Sequence, residues 1–178
     1  MNTPIRCTFR ALFLAIVSAT LLTSCAANPS DGYSFSSNYD ESIQTIAVPI
    51  FGNNTLQRGL ELQLTESLNK QIRDRTPWVL SGSSQADTTL LGVITFYELE
   101  QVSQAPGTGL VQEQAVRISV NFEWRDNRTG DLILGRNGFG ATATFVPQRG
   151  IGERLEHGER EAIEELAKDI VSQLRESW

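Results

Sequence analysis

The sequence predicts an α+β domain, a two-layer sandwich in which two amphipathic helices pack on one face of a mostly antiparallel sheet of four to five strands. Three observations carry that prediction. Leu60, Leu64, Leu68 and Ile72 recur at spacings of four, and Leu155, Ile163, Leu166, Ile170 and Leu174 stay close to a three-to-four spacing, which lays an apolar stripe along each of two helices. Val116, Ile118, Val120, Phe122 and Trp124 alternate with Arg117, Ser119, Asn121, Glu123 and Arg125, so a strand there has one core face and one wet face. The order strand, helix, four strands, helix lets both helices cover the same side of one sheet.

Ahead of the domain, Arg6 and Arg10 precede an apolar run from Ala11 to Leu22, about half the ~20 residues that cross a bilayer. Leu22-Thr23-Ser24-Cys25 closes the run. Basic, apolar and small residues in that order read as a secretory signal. A cysteine directly after the small pair resembles a bacterial lipobox, in which residues 1–24 are removed and the new N-terminal Cys25 carries acyl chains. An ordinary signal that happens to hold a cysteine is the plainer alternative. Residues 25–41 then form a lipidated tether, within which Tyr33 and Phe35 face one side of an extended segment. They dock on the domain or mark an interface. Residues 42–178 make a single domain, about 140 residues and so large enough for a real core.

The strand over Ile43–Phe51 alternates Ile46, Val48 and Ile50 with Thr45, Ala47 and Pro49, and Pro49 suits an edge or a strand end. Gly52-Asn53-Asn54 is turn chemistry, Thr55 is a candidate helix cap, and Pro77 closes the first helix. Trp78-Val79-Leu80 is a short second strand. Thr88–Gln104 is a long third strand with Leu91, Val93, Thr95, Tyr97 and Leu99 on one face and Leu90, Ile94 and Phe96 on the other. Apolar groups on both faces suggest a central strand or one whose second face meets a partner. Pro106-Gly107-Thr108-Gly109 turns the chain into the alternating fourth strand. Asp126–Gly130 is a hairpin loop with glycine where a positive φ is needed, and a fifth strand runs from Leu132 toward Thr144. The final helix spans about Gly152 to Trp178, with its first turns weakened by His157 and Gly158.

Bulk composition narrows the function. Fifteen Lys and Arg stand against 21 Asp and Glu, a formal charge of −6, and loss of Arg6 and Arg10 leaves the remainder more acidic still. That balance argues against broad contact with nucleic acid or an anionic membrane surface. Cys7 leaves with the signal and Cys25 is spent on lipid, so the mature chain has no disulfide. His157 is the sole histidine; no Ser-His-Asp or Cys-His set can be built, and zinc would need carboxylates alone. Glu159, Glu161, Glu164, Glu165 and Asp169 recur as a solvated helix face. Gly52, Gly59 and Gly82 make no phosphate cradle. The Asn-X-Thr triplets at Asn53 and Asn127 are better explained as turns than as glycosylation sites. The chain reads as a non-enzyme with no catalytic residues, no metal and no cofactor beyond the covalent lipid.

Several of these stretches together resemble the LptE-like lipopolysaccharide-assembly lipoproteins. They are the lipobox at Cys25, Gly32-Tyr33-Ser34-Phe35, Ile46-Ala47-Val48-Pro49-Ile50-Phe51 with Asn53-Asn54-Thr55, Leu60–Leu68, Leu90–Ile94, Val116–Trp124 and Thr129-Gly130. The resemblance spans nearly all of the mature chain. It implies an outer-membrane lipoprotein on the periplasmic face, seated in a β-barrel partner, LptD, which passes lipopolysaccharide to the outer leaflet. It also implies two helices over a four-stranded sheet. Family members are described as meeting lipopolysaccharide through basic residues near a loop tip. The corresponding turn here, Gln104 to Gln112, has no Lys or Arg. The basic candidates that remain are Arg117, Arg125, Arg128 and Arg136, each of which also reads as an ordinary solvated charge. For the barrel, the candidates are Ile94 and Phe96, expected to share an exposed sheet face, with Tyr33 and Phe35 from the tether. Two other readings compete: a periplasm-facing scaffold or secretion-accessory lipoprotein of another envelope complex, and a carrier that holds one lipid between helices and sheet. Ala26 after the lipidated cysteine favours outer-membrane sorting by resemblance to lipoproteins generally.

Overall fold

Proline at position 49 divides what the alternation suggests is one strand. A computed structural model describes residues 42–104, 106–107, 111–147 and 152–176; the signal, Cys25, the tether with Tyr33 and Phe35, and Trp178 lie outside the described residues. Strand β1 is only Thr45–Ala47 and strand β2 is Gly52–Asn53. With no N–H to donate, Pro49 interrupts the ladder between them. Helix α1 follows over Leu60–Arg75, then β3 over Val79–Leu80, β4 over Thr88–Gln104, β5 over Val111–Asp126, β6 over Leu132–Phe145, and helix α2 over Gly152–Glu176.

Thr55 is not the cap of α1. Its hydroxyl donates to Asn53 Oδ1 at 2.7 Å, and the helix starts five residues beyond, at Leu60, after Gly59 at φ 90°. Asn53 organises this whole entry. Its Nδ2 donates to Gln57 O at 2.7 Å and to Glu61 Oε2 at 2.8 Å, and the Glu61 carboxylate also accepts the Gly59 N–H at 3.1 Å. A side-chain carboxylate from inside the first turn thus satisfies an orphan donor that a capping Ser or Thr would otherwise leave. At the other end, Thr76 is extended, its hydroxyl donates to Ile72 O at 2.7 Å, and Pro77 prevents continuation.

The sheet has six strands in the order β3-β1-β4-β5-β6, with β2 pairing β4 beyond β1. It is mixed, which corrects the mostly antiparallel expectation of four to five strands. β1 runs parallel to β3 and β4, and β2 parallel to β4, because a chain that crosses over through a helix returns to the same end of the sheet. β4, β5 and β6 are joined by hairpins and pair antiparallel over most of their length.

Both helices lie on one side of the sheet. Leu60, Leu64, Leu68 and Ile72 from α1 and Ile163, Leu166, Ile170 and Leu174 from α2 are at most 1 % exposed, and they meet Ile46, Leu90, Ile94, Val116, Ile118, Val120, Phe122 and Trp124 from the strands. Burying each such side chain contributes about 1.5–3 kcal/mol. Phe51 reaches the same core: its ring lies over Gly92, where an added Cβ would fall 2.1 Å from Phe51 Cε1. Its N–H donates to Thr65 Oγ1 on α1. Trp78 and Trp124 stack obliquely with centroids 5.1 Å apart, which locks β3 to the middle of the sheet. At one end, Asp87 Oδ2 accepts from the N–H groups of Gln44 and Thr45 and from Thr45 Oγ1. Asn127 from the β5–β6 turn donates to Ala86 O and receives from Thr89 Oγ1. Both Asn-X-Thr asparagines are therefore turn organisers, and Gly130 in that hairpin has φ 79°.

Candidate functional site

The face of the sheet away from the helices is uncovered by any described element. On β5 it presents Arg117, Ser119, Asn121, Glu123 and Arg125, as the alternation requires. On β4 it presents Leu91, Val93 and Thr95 and then, one residue out of phase, Phe96. The ladder register slips between Ile94 and Phe96, a bulge that advances the chain by one residue and turns the pleat over. Before the bulge the even residues Leu90 and Ile94 point to the core; after it the odd residue Tyr97 does.

This overturns the expectation that Ile94 and Phe96 share an exposed face. Ile94 is fully buried beneath the helices, whereas Phe96 is 41 % exposed on the open side. Ile94 is a core residue and is withdrawn as a partner contact. The residues that instead accompany Phe96 on β4 are half-buried Val93 and Leu91, which is 44 % exposed; Leu132, at 51 %, lies across β5 on β6. Leu91 stands opposite Glu123, which in turn stands opposite Gly135, and Leu132 stands opposite Arg125. The apolar residues thus flank the polar row of β5, those of β4 on one side and Leu132 of β6 on the other. The composition of β5 contained the signal that locates them, since any β4 residue paired with Glu123 must share its wet face. Only the register, however, says which residue that is.

The four arginines are not gathered into one site. Arg117 and Arg125 occupy the open face at opposite ends of β5. Arg125 Nη2 is 2.6 Å from Glu123 Oε2, with both side chains near half exposed. Such a pair contributes little to stability. Arg128 lies in the β5–β6 turn with Nη2 3.3 Å from Asp126 Oδ2. The Arg128 and Thr129 N–H groups also donate to that carboxylate, and the hydrogen bonds around Arg128 hold the Asp126 carboxyl below its ordinary range. Arg136 turns the other way: its Nη2 meets Gln173 Oε1 on α2 at 3.4 Å, so it sits on the helix side and cannot act with the others.

A second polar feature was missed by reading the sequence. Glu159, assigned to a solvated face, is 5 % exposed. It accepts hydrogen bonds from Tyr97 Oη at 2.6 Å and Gln57 Nε2 at 3.0 Å, joining β4, the loop before α1 and the start of α2. Burial and the neighbouring carboxylate together push the Tyr97 phenol well above its ordinary value. The clue was present, since Glu159 lies four residues before Ile163 and seven before Leu166, on the apolar stripe. Tyr97 and Glu159 form a structural clasp between the sheet and helix layers. His157 is exposed. Among the described residues no group of three His, Cys, Asp or Glu side chains is placed to hold a metal, and no helix is long and apolar enough to cross a membrane.

Comparison with known proteins agrees with this architecture. No curated protein matches the chain in sequence. Among solved structures it is similar to protein XCC0632 from Xanthomonas campestris, with TM-score 0.55 and 11% identity over 75% of this chain and 85% of that one. It is also similar to the hypothetical protein CT253 from Chlamydia trachomatis, with TM-score 0.52 and 9% identity over 75% and 96%. At such identities the likeness speaks for the fold. The family model described as LptE, lipopolysaccharide-assembly, matches residues 43–176, from the first residue of the core through the last described turn of α2. The chain therefore belongs to the LptE lipopolysaccharide-assembly family.

Proposed function

We propose that this protein is a lipoprotein anchored in the cell outer membrane on its periplasmic face, acylated at Cys25 once residues 1–24 are removed. Its domain, residues 42–178, associates with an LptD-like β-barrel and supports lipopolysaccharide transport and insertion into the outer leaflet. One observation carries this reading: the family match runs through the whole described domain. The open sheet face supports it, because an apolar run bordered by polar side chains is the composition of an interaction surface. Phe96, with Leu91, Val93 and Leu132, offers the barrel that contact, and Tyr33 and Phe35 offer a second one ahead of the domain. Arg117 and Arg125 are the arginines of this face that can meet a lipopolysaccharide phosphate; Arg128, at the end of the face, is a third. The role is one of binding and assembly, without catalysis, metal, cofactor or nucleic acid.

A mild-detergent pull-down of the lipidated protein with mass spectrometry tests it. A stoichiometric LptD-like barrel is the expected companion. Recovery alone, or with a different envelope complex, would overturn the barrel association and leave the scaffold reading. The carrier reading is disfavoured by the interior, where Phe51, Leu64, Ile94, Phe122 and Trp124 fill the space between the layers.

A further inference from the structure

Among the described residues, the slot alongside β4 is filled over only half its length. β1 pairs with Thr88 and Thr89, β2 pairs with Val93 and Ile94, and the Asn54 N–H closes on Ile94 O at 2.9 Å. The Asn53 side chain then turns the chain away toward α1. Among the described residues nothing pairs with that edge of β4 beyond Ile94, although β4 continues to Gln104 on the arm of β5. From Phe96 to Gln101 the arm is regular, each residue in register with Ser119 through Gln114, and register shifts bound the stretch at both ends. These bulges delimit a six-residue edge.

Between its bounding bulges that edge has no lysine or proline, and its only charges are the carboxylates of Glu98 and Glu100. Natural edges are shielded by lysine, proline, shortness or bulges within the strand. β3 is two residues long. β6 is interrupted by Gly138 at φ 64° and by register slips, and it carries Arg136. The β4 arm instead shows apolar side chains on both faces: Phe96 on the open side, Leu99 on the helix side at 42 % exposure, and Val102 at 51 %. This is the composition of a central strand at a position that the described residues leave as an edge. No Lys or Arg occurs anywhere from Leu90 to Val116, while Glu98, Glu100 and Glu113 lie on the arm; only Glu98 has a cation in register, Arg117.

We propose that the edge of β4 from Phe96 to Gln101 accepts an extended strand of a partner protein, one in which apolar residues alternate with lysine or arginine. Backbone pairing supplies the ladder, Phe96 and Leu99 supply apolar contacts above and below it, and the carboxylates select a basic strand. A second copy of this chain does not fit, since its own edge brings the same negative charges. A single added strand also falls short of the ~1,200 Å² that sustains a free-standing complex. The strand therefore belongs to a partner held close by a further contact. The inference does not depend on that partner being a barrel.

Hydrogen exchange of the full lipidated protein, compared between isolated envelopes and the purified chain in detergent, tests the slot. The amides among residues 96–101 that point away from β5 are expected to exchange about ten-fold slower or more in envelopes, with Val79 and Leu80 of β3, at the opposite edge of the sheet, unchanged. Equal rates in the two states, or protection already complete in the purified chain, would overturn the proposal. Glu100→Lys, at an exposed position, is expected to abolish the added protection with the melting temperature unchanged, and Glu100→Gln to reduce it. Full protection retained in Glu100→Lys would overturn the basic-strand assignment. The pull-down reports the partner's identity and the exchange reports the slot, so either result can fail without the other.

Discussion

Gly158 illustrates how a residue acquires a meaning that its propensity does not give. Inside a helix, glycine costs about 0.5–1 kcal/mol relative to alanine, so Gly158→Ala should stabilise α2. An added Cβ there, however, falls 2.7 Å from Phe145 Cδ1, and the glycine is buried under that ring. The expected outcome is a neutral to destabilising substitution, measured by denaturant unfolding. In a Phe145→Ala background the clash is gone and the same change should stabilise by about 1 kcal/mol. Tyr97 gives a pH signature. Its phenol is raised above the ordinary 10.0 in the folded state, so the folded protein holds this proton more tightly than the unfolded chain. The associated stability is fully present below pH ~10 and is lost as pH rises beyond it. Tyr97→Phe should flatten the alkaline part of a stability-against-pH curve while leaving its neutral part lower by about 0.5–1.5 kcal/mol for the lost hydrogen bond. An unchanged alkaline slope would remove Tyr97 from this role.

At the scale of elements, the bulge in β4 decides which side chains are core. Ile94→Ala should cost about 2–5 kcal/mol as a cavity-forming core truncation. Phe96→Ala should stay within about 0.5 kcal/mol in the isolated protein. Comparable costs at both positions would mean that the two share a face after all. Sequence alternation alone could not separate them, because Leu90, Leu91, Val93, Ile94 and Phe96 are apolar at both parities. β5 was legible at once because its two faces differ in kind. Glu159 was misassigned for a related reason: a glutamate on an apolar stripe reads as a stray charge until Tyr97 and Gln57, 62 and 102 residues away, are brought to it.

For the whole molecule, the anchor and the domain are separable expectations. Exchanging residues 1–25 for an ordinary cleaved secretory signal should shift the protein from the membrane to the soluble fraction of the envelope while its near-ultraviolet spectrum, dominated by the buried Trp78–Trp124 pair, stays the same. Retention in the membrane fraction would point to a partner strong enough to hold the domain without acyl chains. At ~0.8 kcal/mol per buried CH₂, one acyl chain holds marginally and two or more hold durably, so the loss is expected to be nearly complete.

The sequence by itself determined the parts whose physics is local. The four-residue stripe of α1, the alternation of β5, the turn chemistry at Asn53, Asn127 and Gly130, and the layered α+β class all follow from side-chain spacing along one segment. Tertiary structure alone decided the rest: the parallel docking of β1 to β3, the half-filled slot beside β4, the phase of Ile94 against Phe96, the burial of Glu159 and the scattering of the four arginines. Those features depend on which residues stand opposite one another across a ladder or between layers. A one-residue slip in that pairing costs little along the chain but reverses every side chain beyond it.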